Sequence, residues 1–230
     1  MKDLTRGDAK LSKFIDHTLL KPDSLQKDFE KLCQEAIAHQ FFSVCIPPAR
    51  VPLAAKLLKH SSVKVCTVIG FPLGYTSQTI KGYETRMAVE QGADEIDMVL
   101  NISALKSGDK NTVFEDIRSV VQNASGHLVK VILETCYLTD DEKKLACHLS
   151  MDAGAQFVKT STGFGPSGAT ETDVILMASI VKPKLSVKAS GGIRDYKTAM
   201  KMIELGASRL GTSNGIAIVT QAEQNSEGTY

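Results

Sequence analysis

Four charged residues stand in runs that are otherwise apolar and β-rich. They are Asp97 in Glu95-Ile96-Asp97-Met98-Val99, Lys130 in Val129-Lys130-Val131-Ile132-Leu133-Glu134, Lys159 in Phe157-Val158-Lys159-Thr160, and Lys188 in Ser186-Val187-Lys188-Ala189. A charge in mid-strand contradicts its surroundings, and such contradictions mark sites. If Lys159 and Lys188 both point inward, their ammonium groups repel and burial disfavours charge on each, so at least one is expected to lose its proton. A neutral amine attacks a carbonyl carbon and forms a Schiff base, which an ammonium cannot do. The competing reading is that each lysine lies at a strand end and snorkels to solvent. Two lysines in successive units, with Asp97 and Lys130 beside them, favour the chemical reading.

A second signal is a set of glycine-rich turns: Gly163 to Gly168, Gly191-Gly192, and Gly211-Thr212-Ser213-Asn214-Gly215. Backbone N–H groups without side-chain obstruction can approach an anion there, and the Thr212 and Ser213 hydroxyls can add donors. Glycine also serves simply to make a turn, so the weight lies on three clusters converging on one corner. Asp16, His17 and Thr18 end the first strand; capping competes with a catalytic or binding role for Asp16 and Thr18. His39, His60, His127 and His148 read as surface or packing residues. No HExxH or Cys/His cluster suggests a metal, and no GxGxxG suggests a dinucleotide.

Eight β-rich runs could position these groups, at 14–17, 43–46, 64–69, 95–100, 129–133, 157–160, 185–189 and 209–211. Helical segments are expected between them at 24–39, 49–59, 77–91, 111–123, 140–153, 170–181 and 195–205, with a short one from about 213. Three helices end alike before the next strand, in Gln91-Gly92-Ala93, Ala153-Gly154-Ala155 and Leu205-Gly206-Ala207, where glycine just past a helix is the usual left-handed cap. The strands read as near-continuous apolar runs with little alternation, as expected of parallel strands covered on both faces. Eight such units in 230 residues predict a single (β/α)8 barrel over 1–220, with an open doubly wound sheet as the alternative. In a barrel, the loops after the last two strands are the common phosphate-binding corner. Residues 221–230 read as a flexible polar tail.

The chain has 27 basic and 26 acidic residues and a net charge of +1. That balance gives no reason to expect nucleic acid or a membrane surface as partner, so a small molecule is expected. Five cysteines without CxxC spacing read as reduced core thiols, which points to the cytoplasm. No run approaches the roughly 18 apolar residues of a membrane span, and the start has no stretch long enough for a signal peptide.

The motifs Glu95-Ile96-Asp97-Met98-Val99, Val158-Lys159-Thr160-Ser161-Thr162-Gly163-Phe164 and Val187-Lys188-Ala189-Ser190-Gly191-Gly192-Ile193-Arg194 closely resemble the deoxyribose-phosphate aldolase family. The likeness runs from Ile15-Asp16-His17-Thr18 to Gly211-Thr212-Ser213. It implies a class I aldolase that cleaves 2-deoxy-D-ribose 5-phosphate reversibly to D-glyceraldehyde 3-phosphate and acetaldehyde, without metal or organic cofactor. Lys159 would be the Schiff-base lysine, Asp97 the proton donor and acceptor, and Lys188 the second catalytic lysine. Lys130 and Asp16 join them as candidates, with Thr18, Thr160, Gly163, Gly191, Gly192, Gly211, Thr212 and Ser213 as candidate substrate and phosphate contacts. Pro166 and Ser167 are a local variation in the loop after the sixth strand. Tyr230, at the end of the tail, is a candidate lid over the site. The expected partners are a sugar phosphate and aldehydes, and a homodimer is the assembly considered. Two rivals stand beside this reading: another Schiff-base sugar-phosphate aldolase of transaldolase type, and a catalytically silent phosphosugar-binding barrel.

Overall fold

Parallel strands need crossover connections, and this chain supplies a helix-length amphipathic segment after nearly every strand. In the computed structural model, which describes residues 11–221, eight strands close into a barrel in sequence order. They are β1 (Ile15–Thr18), β2 (Ser43–Ile46), β3 (Lys64–Ile69), β4 (Glu95–Val99), β5 (Leu128–Ile132), β6 (Phe157–Lys159), β7 (Ser186–Ser190) and β8 (Arg209–Thr212). The helices around them are α1 (Gln26–Ala38), α2 (Val51–Leu58), α3 (Gln78–Glu90), α4 (Ile102–Lys106), α5 (Lys110–Asn123), α6 (Asp140–Asp152), α7 (Glu171–Val181), α8 (Tyr196–Glu204) and α9 (Gly215–Thr220). The barrel is the expected one. The predicted tail and Tyr230 lie outside the described residues, apart from Gln221.

Local chemistry sets the element ends. Thr139 caps α6 in a reciprocal box with Glu142, and Asp109, Thr170 and Asp195 each accept an N–H from the first turn of their helices. Gly92, Gly154 and Gly206 all have positive φ, of 106°, 87° and 120°, so the repeated glycine before a strand does end the helix. One helix was not foreseen: α4 fills the loop after β4, capped by the Asn101 side chain. The first strand also starts one residue later than expected and includes Thr18. Alternation along the strand puts Asp16 and Thr18 on one side and His17 on the other.

The strands alternate more strictly than the sequence suggested. Outward residues such as Val44, Val65, Ile96, Met98, Val131, Val158, Val187 and Leu210 are fully buried under the helices or nearly so. Most of the inward residues in the layers below are polar. A barrel interior is filled by layers of four side chains drawn from alternate strands. Register and alternation give successive layers here of Ser43, Glu95, Phe157 and Arg209; then Asp16, Cys66, Lys130 and Lys188; then Cys45, Asp97, Lys159 and Gly211. Branched apolar residues normally occupy such layers. Here apolar runs form because the outer face is covered by helices, while the inner face carries charge.

Candidate functional site

Both Lys159 and Lys188 reach the same carboxylate oxygen. Their Nζ atoms each lie 2.8 Å from Asp97 Oδ2, and Lys130 Nζ donates to Asp97 Oδ1 at 2.9 Å. The Cys66 thiol adds a contact to Oδ1 at 3.2 Å. The register explains the convergence, since Lys159 pairs with Lys188 across β6 and β7, and Asp97 pairs with Lys130 across β4 and β5. The lysines do not snorkel: Lys188 and Lys130 are completely buried and Lys159 is 3% exposed. The candidate nucleophile is thus the least enclosed of the three amines, toward the C-terminal ends of the strands.

The electrostatics correct one expectation. Lys159 and Lys188 do not face each other as bare repelling charges, because Asp97 stands between them. Burial alone would lower the Lys188 pKa, but Asp16 at 2.5 Å and Asp97 at 2.8 Å hold this amine protonated well above its usual value. Lys130 is likewise raised, by Asp97 and Glu95 against burial. Burial would raise the Asp97 carboxyl, yet the three lysines hold it well below the ordinary carboxylate range. Asp16 is depressed in the same way by Lys188 and Arg209. Lys188 is therefore not the amine that gives up its proton to relieve repulsion.

The remaining predicted residues fall into two groups. Asp16 is inside the barrel rather than at a cap, accepting from Ser43 Oγ at 2.7 Å and Arg209 at 2.8 Å. Thr18 and Thr160 use their hydroxyls on Asp16 O and Ser190 O, so they shape the mouth. His17 turns outward to Glu35 at 2.8 Å and to the Phe41 ring, and takes no part in the site.

The loops after β6 and β7 do meet. Ala169 N donates to both Ser190 O and Gly191 O, and a Cβ on Gly168 would sit 2.2 Å from Gly191 O. Gly163 and Gly192 have positive φ and open space where a side chain would be. Two expected phosphate contacts instead have inner duties. Gly211 lies within β8, where a Cβ would meet Lys188 Cε at 3.1 Å, so its missing side chain makes room for that lysine. The Thr212 hydroxyl donates to Ile193 O at 2.7 Å, which joins the turn after β7 to β8. Ser213 remains exposed at the mouth.

The DeoC/LacD family aldolase model matches residues 11–221, which is the whole described barrel. This chain belongs to the DeoC/LacD family of aldolases. Among its relatives in the family, the deoxyribose-phosphate aldolase of Brevibacillus brevis is 58% identical over 95% of this chain and 99% of its own. That of Carboxydothermus hydrogenoformans is 59% identical over 92% of this chain and 94% of its own. Among solved structures, a putative deoxyribose-phosphate aldolase from Coccidioides immitis superposes with a TM-score of 0.91 at 41% identity, covering 93% of this chain and 85% of that one. The enzyme from Aeropyrum pernix, described as tetrameric, gives 0.88 at 34% identity, with 94% and 92% covered.

Several groups around the site of this aldolase had no role assigned from sequence. Glu95 and Arg209 bond to each other at 3.1 Å below Asp97, and Glu95 accepts from Lys130 at 2.6 Å. The signal was present in Glu95, two residues before Asp97 on the same face of β4, and in Arg209 opening an otherwise apolar strand. Glu134, just past β5, accepts the Thr162 N–H at 3.1 Å and also its hydroxyl, which fixes the start of the glycine loop. Cys45, Cys66 and Asp97 are close enough to share a metal ion, as are Asp16, Cys66 and Glu95. The carboxylates in both sets already carry lysine or arginine, which a metal would have to displace. No described helix is long and apolar enough to cross a membrane.

Proposed function

We propose that this aldolase cleaves 2-deoxy-D-ribose 5-phosphate reversibly to D-glyceraldehyde 3-phosphate and acetaldehyde, through a Schiff base on Lys159. The observation that carries the reading is the shared carboxylate: Lys159 and Lys188 both lie 2.8 Å from Asp97 Oδ2, so a nucleophilic amine, an anion and a second ammonium stand at one point. Lys159 Nζ attacks C1 of the open-chain aldehyde, and loss of water leaves a protonated imine. The imine is an electron sink. Removal of the C3 hydroxyl proton then breaks the C2–C3 bond, which releases glyceraldehyde phosphate and leaves the enamine of acetaldehyde on Lys159. Protonation of the enamine carbon and hydrolysis complete the turnover.

Asp97 and Lys188 divide the proton work. With three cationic groups around it, Asp97 is an anion at rest and takes a proton when one of those groups is neutral. Lys188, held protonated by Asp16 and Asp97, is the donor suited to the departing hydroxyl. The phosphate is assigned to backbone N–H groups at Gly163, Gly191 and Gly192 and to Ser213, with Gly211 and Thr212 supporting that corner. The partners are these small molecules, and the buried thiols support a cytoplasmic location.

The test is borohydride reduction in the presence of acetaldehyde, followed by peptide mapping. The adduct is expected on Lys159 and is expected to vanish in Lys159→Ala, together with aldol cleavage; trapping that survives the substitution moves the nucleophile elsewhere. Replacing acetaldehyde by dihydroxyacetone as donor separates this reading from a ketose aldolase, which prefers the latter. Absence of any adduct would favour a silent binding barrel.

A further inference from the structure

The buried charges form a closed ring. Asp97 holds Lys130 at 2.9 Å, Lys130 holds Glu95 at 2.6 Å, Glu95 holds Arg209 at 3.1 Å, and Arg209 holds Asp16 at 2.8 Å. Asp16 holds Lys188 at 2.5 Å, and Lys188 returns to Asp97 at 2.8 Å. Three carboxylates alternate with three cations, so the ring is neutral by itself. Lys159 is attached to it only through Asp97 and is the odd cation. All six members are at least 95% buried, where a stray charge is costly and acts over a longer range than in water.

Glu95 and Arg209 form the part of the ring farthest from the mouth, one layer beneath Asp16, Lys130 and Lys188. Arg209 lies over the Phe42 ring at 3.4 Å and near Phe157 at 5.6 Å, which closes the barrel below it. A substrate reaching Lys159 from the C-terminal mouth does not touch either residue. From this we infer that Glu95 and Arg209 are positioning residues that set, through ring neutrality, the pH at which Lys159 becomes a nucleophile.

The physical chain is short. Arg209 neutralises Asp16 and Glu95, which otherwise would draw Lys188 and Lys130 away from Asp97 or leave excess negative charge in the interior. Glu95 in turn offsets the Lys130–Arg209 pair. The other titratable groups near Lys159 are the Cys45 thiol, from β2, and Glu134, from the end of β5, while the Cys66 thiol of β3 contacts Asp97 and Lys130; none of the three is substituted in the variants below.

The test rests on the Schiff-base reading and can be separated from it. Imine trapping on Lys159 in the unaltered enzyme checks that reading first; its absence there would sink the mechanism whatever the ring does. The pH dependence of trapping and of kcat/KM is then measured for Glu95→Gln, Arg209→Met and the double variant. Glu95→Gln leaves the interior with one extra positive charge, so the acid limb should move to lower pH by about one unit. Arg209→Met leaves one extra negative charge, and the limb should move to higher pH by a similar amount. The double variant restores neutrality and should return close to the starting profile. Charge-conserving Arg209→Lys should recover most of the profile.

A merely structural role predicts lower rates with the limb in place, or shifts of the same sign in both single variants, and either result overturns the proposal. Far-ultraviolet circular dichroism and a urea midpoint accompany each variant. If Arg209→Met does not fold, the near-isosteric Glu95→Gln decides alone, because its expected shift is toward lower pH, and an unmoved limb refutes the inference.

Discussion

Lys159 and Lys188 sit side by side on neighbouring strands, yet their surroundings differ. Lys188 touches two carboxylates and is fixed as an ammonium, whereas Lys159 touches one and faces the mouth. Lys188→Leu is therefore expected to impair both imine formation and proton transfer. It would leave Asp16 and Asp97 short of a cation, so the remaining activity should show an acid limb moved to higher pH. A lower rate on an unchanged profile would assign Lys188 to proton donation alone. Gly211, on the adjacent strand β8, tests the same point. Its replacement by Ala would press a methyl to 3.1 Å from Lys188 Cε and 2.9 Å from Ser190 Cβ. We expect kcat to fall roughly a hundredfold, as for other misplacements of about 1 Å at a reacting centre. The urea midpoint should change far less; equal damage to both would make Gly211 a folding residue only. At the mouth, Ser213→Asp should harm the phosphorylated substrate much more than free 2-deoxyribose, by repulsion of the dianion. Equal losses on both would remove that loop from the phosphate site.

At the scale of elements, one buried pair and one half-buried pair hold helices in place around the barrel. Lys81 on α3 bonds to Asp116 on α5 at 2.5 Å and to Val99 O at the end of β4 at 2.9 Å. Lys81→Met leaves Asp116 buried without its cation, a change that costs about 3–5 kcal/mol. Chemical denaturation should show the loss, and a change under 1 kcal/mol would mean that water reaches Asp116. His17 joins β1 to α1 through Glu35. Burial holds its imidazole below the ordinary 6.5, against the pull of Glu35. The unfolded chain therefore takes up this proton at higher pH than the folded protein does. The stabilisation is present above about pH 6.5 and is lost as pH falls from there through the folded value. The urea midpoint should fall between about pH 7.5 and pH 5.5, and should fall less in His17→Gln; identical slopes in the two proteins would remove His17 from the explanation.

For the whole molecule, barrel closure encloses the thiols. Cys33, Cys45, Cys66 and Cys147 are buried and only Cys136 is partly open. Burial also raises Cys33 to about 11 and Cys147 to about 12, which leaves them as unreactive thiols near neutral pH. A thiol reagent should modify Cys136 readily in the native protein, and Cys33 and Cys147 only as the barrel opens, at a rate that follows denaturant. Prompt labelling of Cys147 without denaturant would show that α6 detaches from the barrel independently.

The sequence alone determined the barrel, because eight apolar runs alternate with helical segments and three helices stop at the same Gly-Ala punctuation. It also singled out Lys159, Lys188, Asp97 and Lys130 as candidates, because a charge among β-branched residues stands out along a single strand, and short motifs such as Lys159-Thr160-Ser161-Thr162-Gly163 carry a family likeness. What the folded structure decided depends on pairs far apart in the chain. Asp16 and Arg209 are bonded although 193 residues separate them, and nothing in either local segment records that. The same holds for Gly211, whose missing side chain matters only because Lys188 crosses the space beside it, and for Thr212, whose hydroxyl is engaged by Ile193 O from the turn after β7. One-dimensional patterning reports what each residue is against its neighbours in the strand. The state of a buried amine depends on which charges barrel closure brings around it, and that sum exists only in three dimensions.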